Sequence, residues 1–274
     1  MSAEGLDRLR SRLSLQTRLI VAFSGGADSA LLAWVASEVL GSRALAVTAV
    51  SASLPEQERS AARSFAREHA IAHVEVCTDE LGRAEYAING ADRCYHCKTA
   101  LFDALDPLGR LLDARIALGT NLDDLSDYRP GQQAAAQRGS IFPLVDAALT
   151  KDDVRAISRM LGLATADKPA ASCLASRVAY GDQVTAEILA RVEAAEEALH
   201  RRGLAGCRVR AHAGGTVARI EFPADEIDTA WRQRAVIDAE VRAAGFTFCA
   251  VDLAGFRSGS MNSLLQIART GPGG

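Results

Sequence analysis

Residues 24–29 read Ser-Gly-Gly-Ala-Asp-Ser and lie between a short β-branched apolar run and an apolar helical stretch. A glycine-rich turn between a strand and a helix makes an anion site. Gly25 and Gly26 let backbone N–H groups approach an anion closely, and the helix N-terminus adds its partial positive charge. Ser24 and Ser29 supply hydroxyl donors. A phosphate would repel Asp28, so its expected roles are to cap the helix or to hold Mg²⁺. The absence of a following GK[ST] excludes the Walker loop. An ordinary turn would account for a lone Gly-Gly pair, but SGGxDS in a strand–loop–helix context outweighs that reading.

The segment resembles the loop of the PP-loop ATP pyrophosphatases, which include GMP synthetase, asparagine synthetase and tRNA thiolases. The resemblance implies ATP cleaved between its α and β phosphates, AMP placed on the substrate, and pyrophosphate released. Members carry a second nucleotide element after a later strand, and Leu118-Gly119-Thr120-Asn121-Leu122-Asp123-Asp124 occupies that place. Gly119 allows close backbone approach, and Asn121 and Asp123 offer polar contacts. Arg129, in the same loop, would pair with a phosphate or a substrate carboxylate. Taken alone, the segment reads equally well as a polar turn.

Six cysteines are present. Cys77, Cys207 and Cys249 lie in apolar strand-like runs and read as core residues. Cys94 and Cys97 form a CxxC ahead of a helical stretch, and Cys173 sits in a Pro- and Ser-containing loop. Zinc would need a fourth ligand, which neither His96 nor His212 is singled out to supply. A redox pair lacks its usual context. Three thiolates with an open fourth position match a 4Fe–4S cluster, although spacing alone carries that reading weakly.

Seven segments together resemble the LarE family of ATP-dependent sulfur transferases in order and spacing. They are SGGADSALLA, NGADRCYHCKTALF, LGTNLDDLSDYRPG, FPLVDAALTKDDVRAISRMLGL, KPAASCLASRVAYG, RVRAHAGGTVARIE and GFRSGSMN, spanning about residues 15–265. The resemblance implies a pyridinium-3,5-dicarboxylate mononucleotide substrate on the way to the nickel-pincer cofactor. Each ring carboxylate would be adenylated and AMP then replaced by sulfur from sulfide or another sulfur donor. Members with only the cysteine matching Cys173 give up its own sulfur. Members that also have the CxxC cysteines carry sulfur on a 4Fe–4S cluster, which implies Cys94, Cys97 and Cys173 as its ligands. The resemblance also assigns Glu196 to the active site, with Glu197 as the adjacent alternative. Arg208 and Arg210 alternate by two, share a strand face, and suit the mononucleotide phosphate. Arg177 would steady a thiolate or bind the ring carboxylates, and Arg257 is a further anion ligand. The family implies a homo-oligomer, a hexamer.

These residues need elements to hold them. The pattern predicts a helix over 5–16, strands over 17–23, 44–50, 73–77 and 115–118, and helices over 30–40, 55–69 and 94–105. Strands alternating with helices imply a doubly wound α/β domain with a parallel sheet, here of the PP-loop type over residues 1–183. Beyond 183 a helix over 185–202, strands over 207–211 and 217–222, a helix over 223–244 and a strand over 246–253 predict a small αββαβ domain (184–274), for which the family resemblance implies substrate binding or oligomerisation.

The 274 residues are 49% hydrophobic and 24% charged, so a sizeable core can form, and the net charge is −3. That balance argues against a broad nucleic-acid surface. It also weighs against the principal rival, a PP-loop 4Fe–4S tRNA 2-thiolation enzyme. A ligase would need an ammonia source, and a regulatory nucleotide module would leave the three cysteines without a role. No apolar run is long enough to span a bilayer, and the expected location is cytoplasmic, with reduced thiols.

Overall fold

A computed structural model describes residues 2–126, 130–257 and 259–262. In chain order the elements are α1 (Ser2–Ser14), β1 (Leu19–Ala22), α2 (Ala27–Leu40), β2 (Ala44–Val50), α3 (Glu56–Glu68), β3 (His73–Cys77), α4 (Ala84–Ala87), α5 (Arg93–Leu112), β4 (Arg115–Leu118), α6 (Pro130–Gln137), α7 (Pro143–Asp146), α8 (Lys151–Met160), α9 (Ala186–Arg201), β5 (Arg208–His212), β6 (Val217–Glu221), α10 (Ile227–Arg232), α11 (Arg234–Ala243) and β7 (Phe248–Val251). The chain divides into two compact units, Met1–Glu80 with Cys94–Ala171, and Leu81–Arg93 with Ser172–Gly274. The sequence pattern gave a single cut at 183.

The first unit is an α/β fold around a four-stranded parallel sheet in the order β3-β2-β1-β4. Strand parity fills both faces. Leu19 and Val21 pack with the buried residues of α1, α2, α3 and α8, while Ile20 packs with Phe102 and Leu105 of α5. All three strand residues are at most 1% exposed, and burying such a side chain contributes about 1.5–3 kcal/mol. Thr150 and Asp153 form a reciprocal capping box that starts α8. From β1 the chain crosses to β2. From β4 it moves to the other side, where Ile141 bridges Ala117. The topological switch point therefore lies between β1 and β4, where open α/β sheets take ligands at their carboxyl ends.

The second unit has a three-stranded sheet, β5-β6-β7, antiparallel then parallel. α9 packs Ile188, Leu189, Val192 and Leu199 inward. The helix expected over 223–244 is instead a 3₁₀ turn, α10 and α11, interrupted at Gln233. Asn89, fully buried, ties the early segment into this unit. Its amide donates to the carbonyls of Val178, Ala179 and Asp182 (3.3, 2.8 and 3.0 Å). Arg93 donates to the Asn89 side-chain oxygen and to the Ala175 carbonyl (2.9 Å).

Two of the three cysteines expected in the core are not there. Cys77 is exposed and Cys249 half-buried, because β3 and β7 are edge strands. Cys207 is fully buried, and loss of solvent, with Glu196 and Glu226 nearby, pushes its thiol up to about 12. Among the described residues no helix is long and apolar enough to cross a membrane.

Candidate active site

The loop leaving β1 is shaped by space as well as conformation. Gly25 has φ +72°, and a Cβ there would stand 3.1 Å from the Ala62 Cβ of α3. Only glycine takes that backbone without strain. Gly26 is the N-cap of α2 and brings no side chain to cap it, while the Asp28 carboxylate takes a hydrogen bond from its own backbone amide in the first turn. The Ser24 and Ser29 hydroxyls lie 3.1 Å apart, and Ser29 also donates to the Gly26 carbonyl (3.1 Å). The first turn of this fourteen-residue helix faces the loop with amide donors.

The loop after β4 closes against this turn. A Cβ on Gly119 would lie 2.8 Å from the Ser29 amide nitrogen. Asn121, 1% exposed, donates its amide to Asp28 Oδ1 at 2.9 Å, and its own oxygen accepts from the Asp123 and Asp124 amides (3.0 and 3.2 Å). Asn121 therefore fixes the Asp28 carboxylate. Burial raises the Asp28 carboxyl above its ordinary range. The Asn121 bond opposes that, nearby Asp124 adds to it, and Lys151 opposes it. Asp123 accepts from the Lys151 amide at the start of α8 (2.7 Å). Arg129 lies outside the described residues.

Lys168 was passed over in the sequence reading, although it opens the KPAASC segment. Its ammonium donates to the Gly25 carbonyl (3.0 Å) and pairs with Glu58 of α3 at 2.6 Å. It braces the glycine loop from behind. A cleft of about 490 Å³ lined by Thr17, Arg18, Asp113 and Arg115 sits at the opposite, amino-terminal edge of the same sheet, away from these groups.

In the second unit the predicted arginines separate into two kinds. Arg177 and Glu196 are a buried pair (Nε–Oε1 3.1 Å), and Glu196 also accepts from the Val209 amide (3.0 Å). Arg177 further donates to the carbonyls of Ser172 (2.6 Å) and Cys173 (3.1 Å), which shapes the Cys173 turn. Arg210 is paired too. It binds fully buried Glu221 at 2.7 Å, and Glu221 also receives Arg219 (2.9 Å) and the Ser260 hydroxyl (2.7 Å). Arg208 is different. It is half-buried, stacks over the Phe256 ring (5.5 Å), donates to the Cys207 carbonyl, and makes no ion pair among the described residues. Burial, then the like charge of Arg177, lowers its affinity for its proton. Such a guanidinium is short of an anion. Arg257 is exposed, 3.9 Å from Asp252. Sequence reasoning missed Glu221, whose signal was a lone acid inside the buried run of β6.

Cys94 and Cys97 stand one turn apart at the start of α5, exposed and half-buried. Cys173 is exposed at the head of the Leu174–Arg177 turn. Among the described residues no group of three Cys, His, Asp or Glu side chains is already set to hold a metal ion.

No family model matches the chain. Its sequence is 42% identical over 268 residues to an uncharacterised protein of Synechocystis sp., covering 95% of this chain and 97% of the relative. It is 35% identical over 254 residues to the pyridinium-3,5-bisthiocarboxylic acid mononucleotide synthase of Lactiplantibacillus plantarum, covering 92% of this chain and 91% of that one. An uncharacterised protein of Methanocaldococcus jannaschii is 26% identical over 242 residues, covering 88% and 91%.

Proposed function

The chain belongs to the LarE family of pyridinium-3,5-bisthiocarboxylic acid mononucleotide synthases, and on that premise we propose that it converts the two carboxylates of pyridinium-3,5-dicarboxylate mononucleotide to thiocarboxylates at the expense of ATP. The observation that carries the ATP half is the Asp28–Asn121 contact beside the uncapped start of α2, at the switch point of a parallel sheet. The Gly25–Gly26 amides and the Ser24 and Ser29 hydroxyls bind phosphate oxygens. Mg²⁺ fits Asp28, because a cation offsets the burial that disfavours its charge. A substrate carboxylate oxygen attacks the α-phosphorus, the α–β bridging bond breaks, and pyrophosphate leaves. Sulfide then attacks the acyl carbon of the adenylate, and AMP departs with the electron pair of the broken C–O bond.

The second unit supplies the substrate side. Arg208, the guanidinium without a carboxylate, takes the mononucleotide phosphate. Arg210, Arg177 and Glu196 hold the surrounding backbone and the Cys173 turn in place.

For the sulfur, Cys94 and Cys173 are exposed and Cys97 half-buried, and thiolates are chemically suited to iron. Cys94, Cys97 and Cys173 would hold a 4Fe–4S cluster, which when bound offers an open iron site for sulfide.

The test is anaerobic incubation of the purified, iron–sulfur-reconstituted protein with ATP, Mg²⁺, sulfide and the pyridinium mononucleotide, with pyrophosphate and thiocarboxylate followed by mass spectrometry. Both products are expected. Sulfur incorporation into tRNA instead, with none into the mononucleotide, would make the protein a tRNA 2-thiolation enzyme.

A further inference from the structure

One buried carboxylate in the first unit is left half-satisfied at the edge of the sheet that carries the phosphate loop. β1 leaves the sheet at Phe23, whose amide donates to the Val47 carbonyl (2.8 Å) and whose carbonyl accepts the Thr48 hydroxyl (2.8 Å). β2 runs on to Val50. Ser51 therefore stands about 10 Å beyond Thr48, at about 3.3 Å per residue. On the other side β3 ends at Cys77, and the Thr78 amide donates to the Val50 carbonyl (3.0 Å). The chain then places Glu80 beside Ser51.

The hydrogen bonds of this pair have a fixed direction. The Ser53 amide donates to Ser51 Oγ (3.1 Å), and Ser51 Oγ donates its proton to Glu80 Oε1. Glu80 is 3% exposed, and its second oxygen, Oε2, is buried with no hydrogen-bond partner among the described residues. A buried acceptor left without a donor costs stability, and such a group in a native fold calls for an explanation. A donor brought by a ligand supplies one.

The position says which donor. In doubly wound nucleotide folds the phosphates sit on the turn after the first strand, and an acid near the end of the next strand accepts from a ribose hydroxyl. In this chain the second strand ends at Val50 and is followed by Ser51, not by an acid. We propose that Glu80, oriented by Ser51, is the acceptor for a ribose hydroxyl of the bound ATP, so that the acid normally carried by the second strand is delivered from behind the third. The proposal rests on the ATP reading above and adds to it a residue that selects ribonucleotides.

The test compares binding of ATP, 2′-deoxyATP, 3′-deoxyATP and inosine triphosphate, each with Mg²⁺, by titration calorimetry. The proteins are the wild-type chain, Glu80→Gln, Glu80→Leu and Ser51→Ala, and circular dichroism and thermal melts check each fold. The wild type is expected to bind one of the two deoxy analogues roughly 10- to 100-fold more weakly than ATP, the range for a hydrogen bond to a charged group. Glu80→Leu should bring that ratio close to one by weakening ATP alone. Glu80→Gln and Ser51→Ala should reduce the ratio in part. Glu80→Leu also removes the buried unpaired oxygen, so it keeps the test valid if the glutamine variant folds poorly. A wild type that binds ATP without discriminating, or a folded Glu80 variant that keeps the full ratio, overturns the proposal and leaves ATP binding standing. A changed preference between ATP and inosine triphosphate, with the deoxy ratio intact, would move the contact to the base and overturn it too. A wild type that binds no nucleotide overturns the ATP reading and this proposal together.

Discussion

Gly119 and Ser29 approach so closely that a single added carbon would stand 2.8 Å from the Ser29 amide nitrogen, with the Asp28 carbonyl carbon and the Ser29 Cα both at 3.0 Å. All three obstacles are backbone atoms of the first turn of α2, so none can swing aside. Gly119→Ala must push the β4 loop away from that turn. Overpacking of this kind costs about 1–3 kcal/mol, and here the displaced atoms are those proposed to bind phosphate. The expected outcome is a lowered melting temperature with pyrophosphate release cut far more than stability suggests. Activity equal to the wild type would separate the β4 loop from the nucleotide.

Asp28 makes a prediction with opposite signs for stability and activity. Burial raises its carboxyl in the folded, metal-free protein. A raised acid favours folding while protonated, and that benefit is lost as pH climbs from the unfolded value through the folded one. At neutral pH the ionised group is therefore a cost. Asp28→Asn keeps an oxygen for the Asn121 amide, so in the presence of a chelator it should melt higher than the wild type at pH 7. The difference should vanish at pH values below the ordinary aspartate range of about 3.9, where both side chains are neutral. Pyrophosphate release should be abolished at every pH. A variant that melts lower at pH 7 would contradict the burial argument.

Arg208 and Arg210 were one pair by sequence and are two different things in the fold. Arg210→Ala takes one of two guanidiniums from fully buried Glu221, which keeps Arg219 and the Ser260 hydroxyl, so the loss should stay below the ~3–5 kcal/mol of a buried pair broken from one side. Glu221→Gln in the same chain should recover part of it. Arg208→Ala leaves no carboxylate behind, so thermal stability should barely change. Affinity for the pyridinium mononucleotide should drop by roughly 10- to 100-fold, as for a lost charge-assisted bond, with ATP affinity unaltered. Calorimetry on both variants with both ligands decides it. Equal loss of the two ligands in Arg208→Ala would take the phosphate off this strand.

How much of this was legible depended on whether the signal was local. The strands at 44–50, 73–77 and 115–118 match the sequence reading because short apolar runs between glycine and charged segments have few other solutions. SGGxDS and Gly119 were legible because turn geometry and close approach demand glycine. Partner choice across strands was not. Nothing in RVR says that Arg210 takes an acid of β6 while Arg208 lacks one: the register sets Glu221 opposite Arg208 and Arg219 opposite Arg210, and the ion pair forms on the diagonal. Cys77 misled for the same reason, because an apolar run does not reveal that its strand lies at the edge. The break at Gln233 carries neither Gly nor Pro to announce it.

The cysteines give the sharpest division. Cys94 and Cys173 are exposed and Cys97 half-buried, whereas Cys207 is sealed in the core with its thiol pushed up to about 12 and Cys249 is held up at about 11, mainly by burial in both cases. A thiol that resists ionisation makes a poor iron ligand, since the thiolate is the binding form. Replacing Cys94, Cys97 or Cys173 singly with serine should therefore lower bound iron and acid-labile sulfide after anaerobic reconstitution and stop multiple turnover, while leaving the melting temperature of the iron-free protein unchanged. Cys249→Ala and Cys77→Ala should keep full iron content. Cys207→Ala should keep it as well and lose only the packing of one small buried side chain, about 1 kcal/mol. A different result is equally readable. If only Cys173→Ser stops the reaction, and mass spectrometry of the spent wild type finds dehydroalanine at position 173, the sulfur comes from that residue itself. The exposed pair at the start of α5 would then be no part of the chemistry.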